Sequence, residues 1–324
     1  MKTALLDVSD LRVRLETARG PAEALRGVDF SLKRGETVGL IGESGCGKSM
    51  TALALMGLLP EGARLSGSIH FDGQQLVGLS DDAMGRLRGR RVAMIFQEPM
   101  TALNPLHTVG AQVAEPLRQH LGMDRAEARA QALRLLDQVR LPQARERLDA
   151  YPHQLSGGQR QRVMIAAALA CGPDLLIADE PTTALDVTIQ AEILELIAEL
   201  VHDGGMALLL ISHDLDVMAQ NVERVMVMYG GIVAESGPTD SVFERLAHPY
   251  TRGLFGARPR LGTLRGERLV TIPGRVPELV DLPPGCPFAD RCHRMVTACR
   301  QPPPPFPVRP DHEVRCFNME PAPG

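Results

Sequence analysis

The sequence predicts an α/β protein built on a parallel sheet, and three observations carry that expectation. Short, continuous apolar runs at Leu175–Ala178 and Ala207–Ile211 have the length and aliphatic content of strands buried on both faces. Glycines 42, 45 and 47 follow a strand pattern, TVGLIG, and precede a helical pattern, SMTALALMGLL, which makes a strand–loop–helix unit. Between the two apolar runs lies IQAEILELIAELVHD, with apolar residues at 189, 193, 194, 197, 200 and 201 and a stop at Gly204–Gly205.

Taken in order, residues 4–40 read as short strands: LLDVSDLRVRL, LRGVDFSLKRGE and TVGLIG. From about Asp81 to Gly172 the pattern is helical, with an amphipathic RAEARAQALRLLDQV and a largely buried QRQRVMIAAALA. VMVMYGGIVAESG reads as a hairpin turning at Gly230–Gly231. Beyond about residue 245 the character changes. Thirteen of the 25 prolines lie in 273–324, and regular periodicity is lost. That stretch is expected to form a separate, loop-rich appendage. No internal repeat is visible.

Composition excludes several classes. A hydrophobic fraction of 44% over 324 residues suits a soluble protein with a proper core. No stretch approaches the roughly 18 consecutive apolar residues of a membrane-spanning helix. The N-terminal MKTALLDVSDLRV lacks a long apolar region, so no signal peptide is expected. A formal net charge of -4 gives no drive toward nucleic acid, and none is expected as a partner. Six cysteines are too few for a secreted disulfide scaffold, but four of them crowd into the last 39 residues. A cytoplasmic setting follows.

The strongest chemical signal is GESGCGKS, Gly42 to Ser49, which fits the phosphate-cradling pattern G-x-x-x-x-G-K-[ST]. Its glycines Gly42, Gly45 and Gly47 let backbone N–H groups close around nucleotide phosphates. Lys48 brings a positive charge to them, and Ser49 offers a hydroxyl to Mg²⁺. Ser44 and Met50 belong to the same loop and helix start. A second motif, LLIADEP, places Asp179 and Glu180 at the end of an apolar strand. There Asp179 can hold the Mg²⁺ shell and Glu180 can polarise a water for attack on the γ-phosphate.

The order GESGCGKS, IFQEP, LSGGQ, LLIADEP, ALD and ISHD resembles the ABC-type ATPase family across residues 5–240. The resemblance implies a RecA-like core with an antiparallel β subdomain and an α-helical subdomain, the last at about 98–172. It implies ATP and Mg²⁺ as cofactors. Gln97 would sense Mg²⁺ and touch a membrane subunit. Ser156, Gly157, Gly158 and Gln159 would meet the γ-phosphate held by a partner ATPase. Asp186 would line the dimer interface, and His213 would contact the γ-phosphate. The family usually stacks adenine on an aromatic shortly before the P-loop. Here residues 15–24 contain none, which leaves that contact to Arg19 or an aliphatic side chain.

Two further stretches narrow the resemblance to the oligopeptide/dipeptide permease ATPases, some of which import nickel or other small solutes. One is YPHQLSGGQRQRVMIAAALACGPDLLIADEPTTALDVTIQAEIL, and the other is His248-Pro249-Tyr250-Thr251 before the cysteine-rich tail. That subfamily implies a second, different ATPase subunit, two transmembrane permease subunits and an extracytoplasmic solute-binding protein. The chain is then expected at the cytoplasmic face of the membrane, with 1–245 as the ATPase domain and 246–324 as the tail. Cys286, Cys292, Cys299 and Cys316 lack C-x-x-C spacing, which weakens a zinc site. A [4Fe–4S] cluster tolerates wider spacing and fits the resemblance, with zinc, free thiols or disulfides as the alternatives. A soluble, non-transport ABC ATPase is a rival reading, but such chains usually carry two ATPase domains or long coiled-coil insertions. This chain has neither.

Overall fold

The computed structural model describes residues 4–97, 102–183, 185–258 and 271–322. In chain order the first elements are β1 (Ala4–Thr17), β2 (Gly20–Lys33), β3 (Thr37–Ile41), α1 (Lys48–Met56), β4 (Arg64–Phe71) and β5 (Gln74–Gln75). Next come α2 (Asp81–Gly85), β6 (Val92–Ile95), α3 (Val109–Leu121), α4 (Arg125–Gln138), α5 (Ala144–Arg147) and α6 (Gly157–Leu169). They are followed by β7 (Leu175–Asp179), α7 (Val187–Gly204), β8 (Ala207–Ile211), α8 (Leu215–Asn221), β9 (Arg224–Tyr229) and β10 (Ile232–Pro238). The chain closes with α9 (Thr239–Arg245), α10 (Pro249–Gly256), β11 (Phe306–Arg309) and β12 (His312–Val314).

The chain forms two compact units. The first comprises 1–5, 32–37 and 78–211. Its sheet runs β6, β7, β8, all parallel, with Leu175 opposite both Val92 and Ala207. Every residue of these three strands is buried, which explains why each reads as an unbroken apolar run rather than an alternating one. The helices around them start where the sequence supplies a capping acceptor. Thr108 caps α3, Asp124 caps α4 with Glu127 closing the box, and Asp186 caps α7. β6 corrects the expectation of continuous helix from 81 to 172. Four residues, Val-Ala-Met-Ile, form a buried parallel strand there because β7 supplies its ladder partner.

The second unit comprises 6–31, 38–77 and 212–324. One of its sheets has the antiparallel order β2-β1-β4-β5. β1 and β2 run 14 residues each, longer than the short strands expected, and β1 absorbs an irregularity between Ser9 and Arg12 without ending. In the other sheet β3 pairs parallel with β9, and β9 pairs antiparallel with β10 through the expected turn at Gly230–Gly231. The tail does not stand apart from this unit. β12 pairs with β10 at Glu235–Val314 and Ser236–Glu313, and β11 pairs with β12. β10 would otherwise present an open edge, and the tail hairpin covers it. Among the described residues no helix is long and apolar enough to cross a membrane.

Candidate nucleotide site and cysteine cavity

β3 ends at Ile41, and the chain turns through Gly42, Gly45 and Gly47, all at positive φ, into α1. Each glycine is required for its own reason. A Cβ on Gly42 would lie 2.3 Å from the Met228 carbonyl oxygen, and one on Gly47 would lie 2.8 Å from Leu25 Cδ2. Gly45, at φ 79°, would meet nothing within 4 Å, so its face of the loop is open. Lys48 is 5% exposed, and its ammonium donates to the carbonyl oxygens of Gly42 at 2.7 Å and Glu43 at 3.1 Å. No carboxylate of the described residues pairs with it, so a buried positive charge sits at a helix start beside a glycine turn that is open at Gly45. That donor set suits an anionic phosphate. Ser49 is half-buried one residue further on, and hydroxyl plus carboxylate oxygens are the ligands Mg²⁺ prefers.

The loop is also gripped from the same unit's tail. The Glu43 N–H donates to the Tyr250 hydroxyl at 2.7 Å, and Arg291 donates to both Glu43 carboxylate oxygens at 2.7 and 3.1 Å. Burial raises the Tyr250 phenol well above its ordinary range, so the hydroxyl stays neutral. Burial works against the charge on Arg291, and its hydrogen bonds to Glu43 and Tyr229 more than offset this. The sequence signals for GESGCGKS do not reveal these contacts. Glu43 is an unrestricted position in the motif, and Arg291 is one of several arginines in the cysteine-rich tail.

In the first unit, Asp179 ends β7 and is 4% exposed. Glu180 follows at φ 46°, a left-handed conformation that costs a non-glycine residue energy and concentrates at functional sites. Its N–H donates to the Ile211 carbonyl, and its Oε2 accepts from Gln97 Nε2 at 3.2 Å and from Thr183 Oγ1 at 3.0 Å. The structure therefore brings Gln97 and Glu180 together, and it adds Thr183, which the sequence reading missed. Glu98 and Pro99 of IFQEP, and Ala184 of ALD, lie outside the described residues.

Ser156 caps α6: its hydroxyl accepts from the Gln159 N–H, and Gln159 Oε1 accepts from the Ser156 N–H at 3.1 Å. Ser156 and Gly157 are exposed, so this helix start is available to an outside partner. A Cβ on Gly158 would lie 2.9 Å from Ile189 Cγ2 on α7, which Asp186 caps. In the second unit, His213 is exposed in the turn after β8. The Asp214 N–H donates to Ser212 Oγ at 3.0 Å, and the Asp214 side chain caps α8, which fixes the backbone on both sides of the histidine. Arg19, a candidate for the adenine face, is engaged by tail carboxylates: it donates to Glu278 at 2.7 Å and to both oxygens of Asp281 at 2.8 Å.

Cys286, Cys292, Cys299 and Cys316 line one cavity, with Phe288, Pro303 and Phe317 among its other walls. All are free thiols. Burial pushes the Cys286 thiol up to about 11 and the Cys316 thiol to about 12, while backbone hydrogen bonds from Phe288 and Asn318 act in the opposite sense. Among the described residues no group of three or more His, Cys, Asp or Glu is arranged to hold a metal ion.

The cradle of the second unit and the strand end and capped helix of the first each resemble parts of an ATP-hydrolysing cassette, and the ABC transporter family model matches residues 25–183. The model of the oligopeptide/dipeptide transporter C-terminal region matches 234–299. The chain belongs to the oligopeptide/dipeptide group of ABC transporter ATPases. It is 49% identical to the oligopeptide transport ATP-binding protein OppD of Escherichia coli, over 97% of this chain and 93% of that one. It is 50% identical to the dipeptide transport ATP-binding protein DppD of Bacillus subtilis, over 98% and 95%. Among solved structures, a dimeric ATP-binding cassette in a post-hydrolysis state bound to ADP and Pi superposes with a TM-score of 0.66 at 30% identity, covering 72% of this chain and 98% of that one. CbiO1 of Clostridium perfringens, part of the ABC transporter complex cbiONQ, gives 0.62 at 28% identity, over 74% and 90%.

Proposed function

We propose that this chain is the ATP-hydrolysing subunit of an importer that moves di- and oligopeptides through separate membrane subunits. The observation that carries the reading is the P-loop cradle, an open glycine turn around a buried, carbonyl-held Lys48, in a chain whose C-terminal region matches the peptide-transporter model.

Each residue has a role in that scheme. The bound nucleotide supplies the phosphoanhydride bond whose hydrolysis drives the cycle. Gly42, Ser44, Gly45, Gly47, Ser49 and Met50 form or follow the loop that seats its phosphates, and Lys48 neutralises their charge. Ser49, Gln97 and Asp179 would hold Mg²⁺. Glu180 takes a proton from the attacking water, with Gln97 and Thr183 fixing its Oε2. His213 contacts the γ-phosphate. Ser156, Gly157, Gly158 and Gln159 offer a capped helix start to nucleotide held by a partner cassette, with Asp186 beside it at the interface. Residues 1–245 act as the ATPase segment, with its helical part at about 98–172, and 246–324 as the tail.

The partners are a second cassette, here taken as a different chain, two transmembrane subunits and a solute-binding protein, with this chain peripheral at the cytoplasmic face. For the cysteine cavity the reading is a four-thiolate [4Fe–4S] cluster, supported by four cysteines lining one cavity and by their wide spacing, with zinc as the alternative.

The test is reconstitution with the membrane subunits and binding protein in vesicles. ATP-dependent accumulation of a labelled peptide, abolished by Glu180→Gln, supports the reading. Accumulation of nickel in place of peptide would move the cargo to the metal-importing branch, and turnover without any transport would overturn it.

A further inference from the structure

We propose that Arg291 and Tyr250 of the tail are positioning residues for the nucleotide site: by holding Glu43 they set the shape of the P-loop and with it the affinity for MgATP. The inference rests on the reading of Gly42–Ser49 as the phosphate site.

The argument starts at Glu43, the first unrestricted position of the motif. All three of its polar groups are used. Its carbonyl accepts from Lys48 Nζ at 3.1 Å, its N–H donates to Tyr250 Oη at 2.7 Å, and its carboxylate takes both nitrogens of Arg291. Lys48 therefore pulls on Glu43 from the phosphate side, while the tail holds it from the other. A two-pronged guanidinium–carboxylate pair fixes orientation as well as distance. The Arg291 side chain is 5% exposed and that of Glu43 is 27% exposed, so solvent screens this pair less than a surface bridge.

The anchor itself is rigid. Arg291 also donates to the Pro273 carbonyl at 2.9 Å and to the Tyr229 hydroxyl at 3.2 Å. Tyr229 and Tyr250 are fully buried and pack at 4.6 Å between ring centres, and Phe288 contacts both. Phe288 in turn lies in the wall of the cysteine cavity, and Arg291 is followed directly by Cys292. A contiguous, buried path thus runs from the cysteine cavity through Phe288, Tyr250 and Arg291 to the P-loop. A tail that served only to cover a sheet edge would need the β10–β12 pairing and no carboxylate in the loop.

The experiment uses the full chain in its assembled transporter. It measures the dissociation constant of MgATP with a fluorescent ATP analogue, steady-state KM and kcat, and the melting midpoint. Arg291→Gln and Glu43→Gln are each expected to raise KM about tenfold, with a much smaller fall in kcat. The double variant should lose no more than either single one, because both remove the same contact. Tyr250→Phe, which deletes one hydroxyl from a buried ring, should raise KM by roughly threefold. Arg291→Lys should recover only part of the loss, since an ammonium cannot grip both oxygens. The inference is overturned if KM for Arg291→Gln and Tyr250→Phe stays within about twofold of wild type, or if the two charge variants add. It is equally overturned if the rise in KM and the fall in kcat both follow the drop in melting midpoint. Lys48→Ala separates the two levels of the argument. If it binds MgATP normally, the phosphate-site reading itself fails; if it abolishes binding while the tail variants are silent, only the positioning role fails.

Discussion

Gln97 donates its side-chain amide to Glu180 Oε2 at 3.2 Å across 83 residues of sequence. Thr183 Oγ1 donates to the same oxygen at 3.0 Å, so one carboxylate oxygen is held by two donors. The Glu180 carboxylate, proposed above as the base, is thus oriented by hydrogen bonds as well as by the left-handed backbone at φ 46°. Glu180→Gln keeps the shape and removes the basicity. It should lower kcat by at least about 100-fold while leaving MgATP bound, as read by single-turnover hydrolysis beside nucleotide binding. Thr183→Ala frees one aiming contact and should cost far less. Equal losses in the two variants would remove Glu180 from the role of base.

Gly42 and Gly45 make a paired test of the cradle. A Cβ at Gly42 meets the Met228 carbonyl at 2.3 Å, a backbone atom that cannot swing away. Gly42→Ala should therefore destabilise the whole chain by more than about 2 kcal/mol. At Gly45 a Cβ meets nothing, and the cost is the strain of φ 79°, about 1 kcal/mol. Its methyl would stand on the open face of the loop, so Gly45→Ala should fold and lose nucleotide affinity. Urea denaturation and nucleotide titration separate the two cases. A Gly45→Ala protein that binds MgATP normally would place the phosphates elsewhere.

Much of this was legible in the sequence because its signals are local. GESGCGKS, LSGGQ and LLIADEP each encode a turn, a cap or a strand end within eight residues, and the structure places all three as expected. The capping box at Ser156–Gln159 is readable for the same reason. What the sequence hid is non-local. Val92–Ile95 is too short to outvote its helical surroundings until Leu175–Ala178 pairs with it. Thr183 reads as a turn residue until Glu180 is seen folding back. Nothing near Glu43 or Arg291 hints that residues 248 positions apart share two hydrogen bonds. The tail reads as an appendage because prolines erase periodicity, although its last seven described strand residues complete a sheet.

The cysteine cavity makes a stoichiometric prediction. After anaerobic purification a four-thiolate cluster gives about four irons and four acid-labile sulfides per chain, with a broad visible absorption, and Cys286→Ser loses them. Binding would release protons, because thiols raised to about 11 and about 12 by burial must ionise to act as ligands. One zinc per chain, or no metal in protein kept free of oxygen, would overturn the cluster.

Glu235 is a buried acid of the second unit, 1% exposed, and it binds several elements together. Its carboxylate accepts from the Ala247 and His248 N–H groups at 2.8 Å each and bonds His312 Nε2 at 2.9 Å, joining β10, the start of α10 and β12. Burial disfavours its charge, but the hydrogen bonds from His312, His248 and Ala247 outweigh that, and the net result is a carboxyl held below its ordinary value. A depressed folded-state value means that the unfolded chain binds the proton first as pH falls. The stability this residue contributes is therefore complete above the ordinary carboxyl range, near pH 4.5, and is lost as pH drops through the lower folded value. Glu235→Gln keeps the volume but cannot serve every donor as an ionised acceptor, so it should cost on the order of 3 kcal/mol at neutral pH. It should also flatten the fall in stability on the acid side. Urea midpoints at pH 7, 5 and 4 for both proteins read both effects, and a variant whose acid profile ran parallel to wild type would show that Glu235 is not the titrating anchor of this hub.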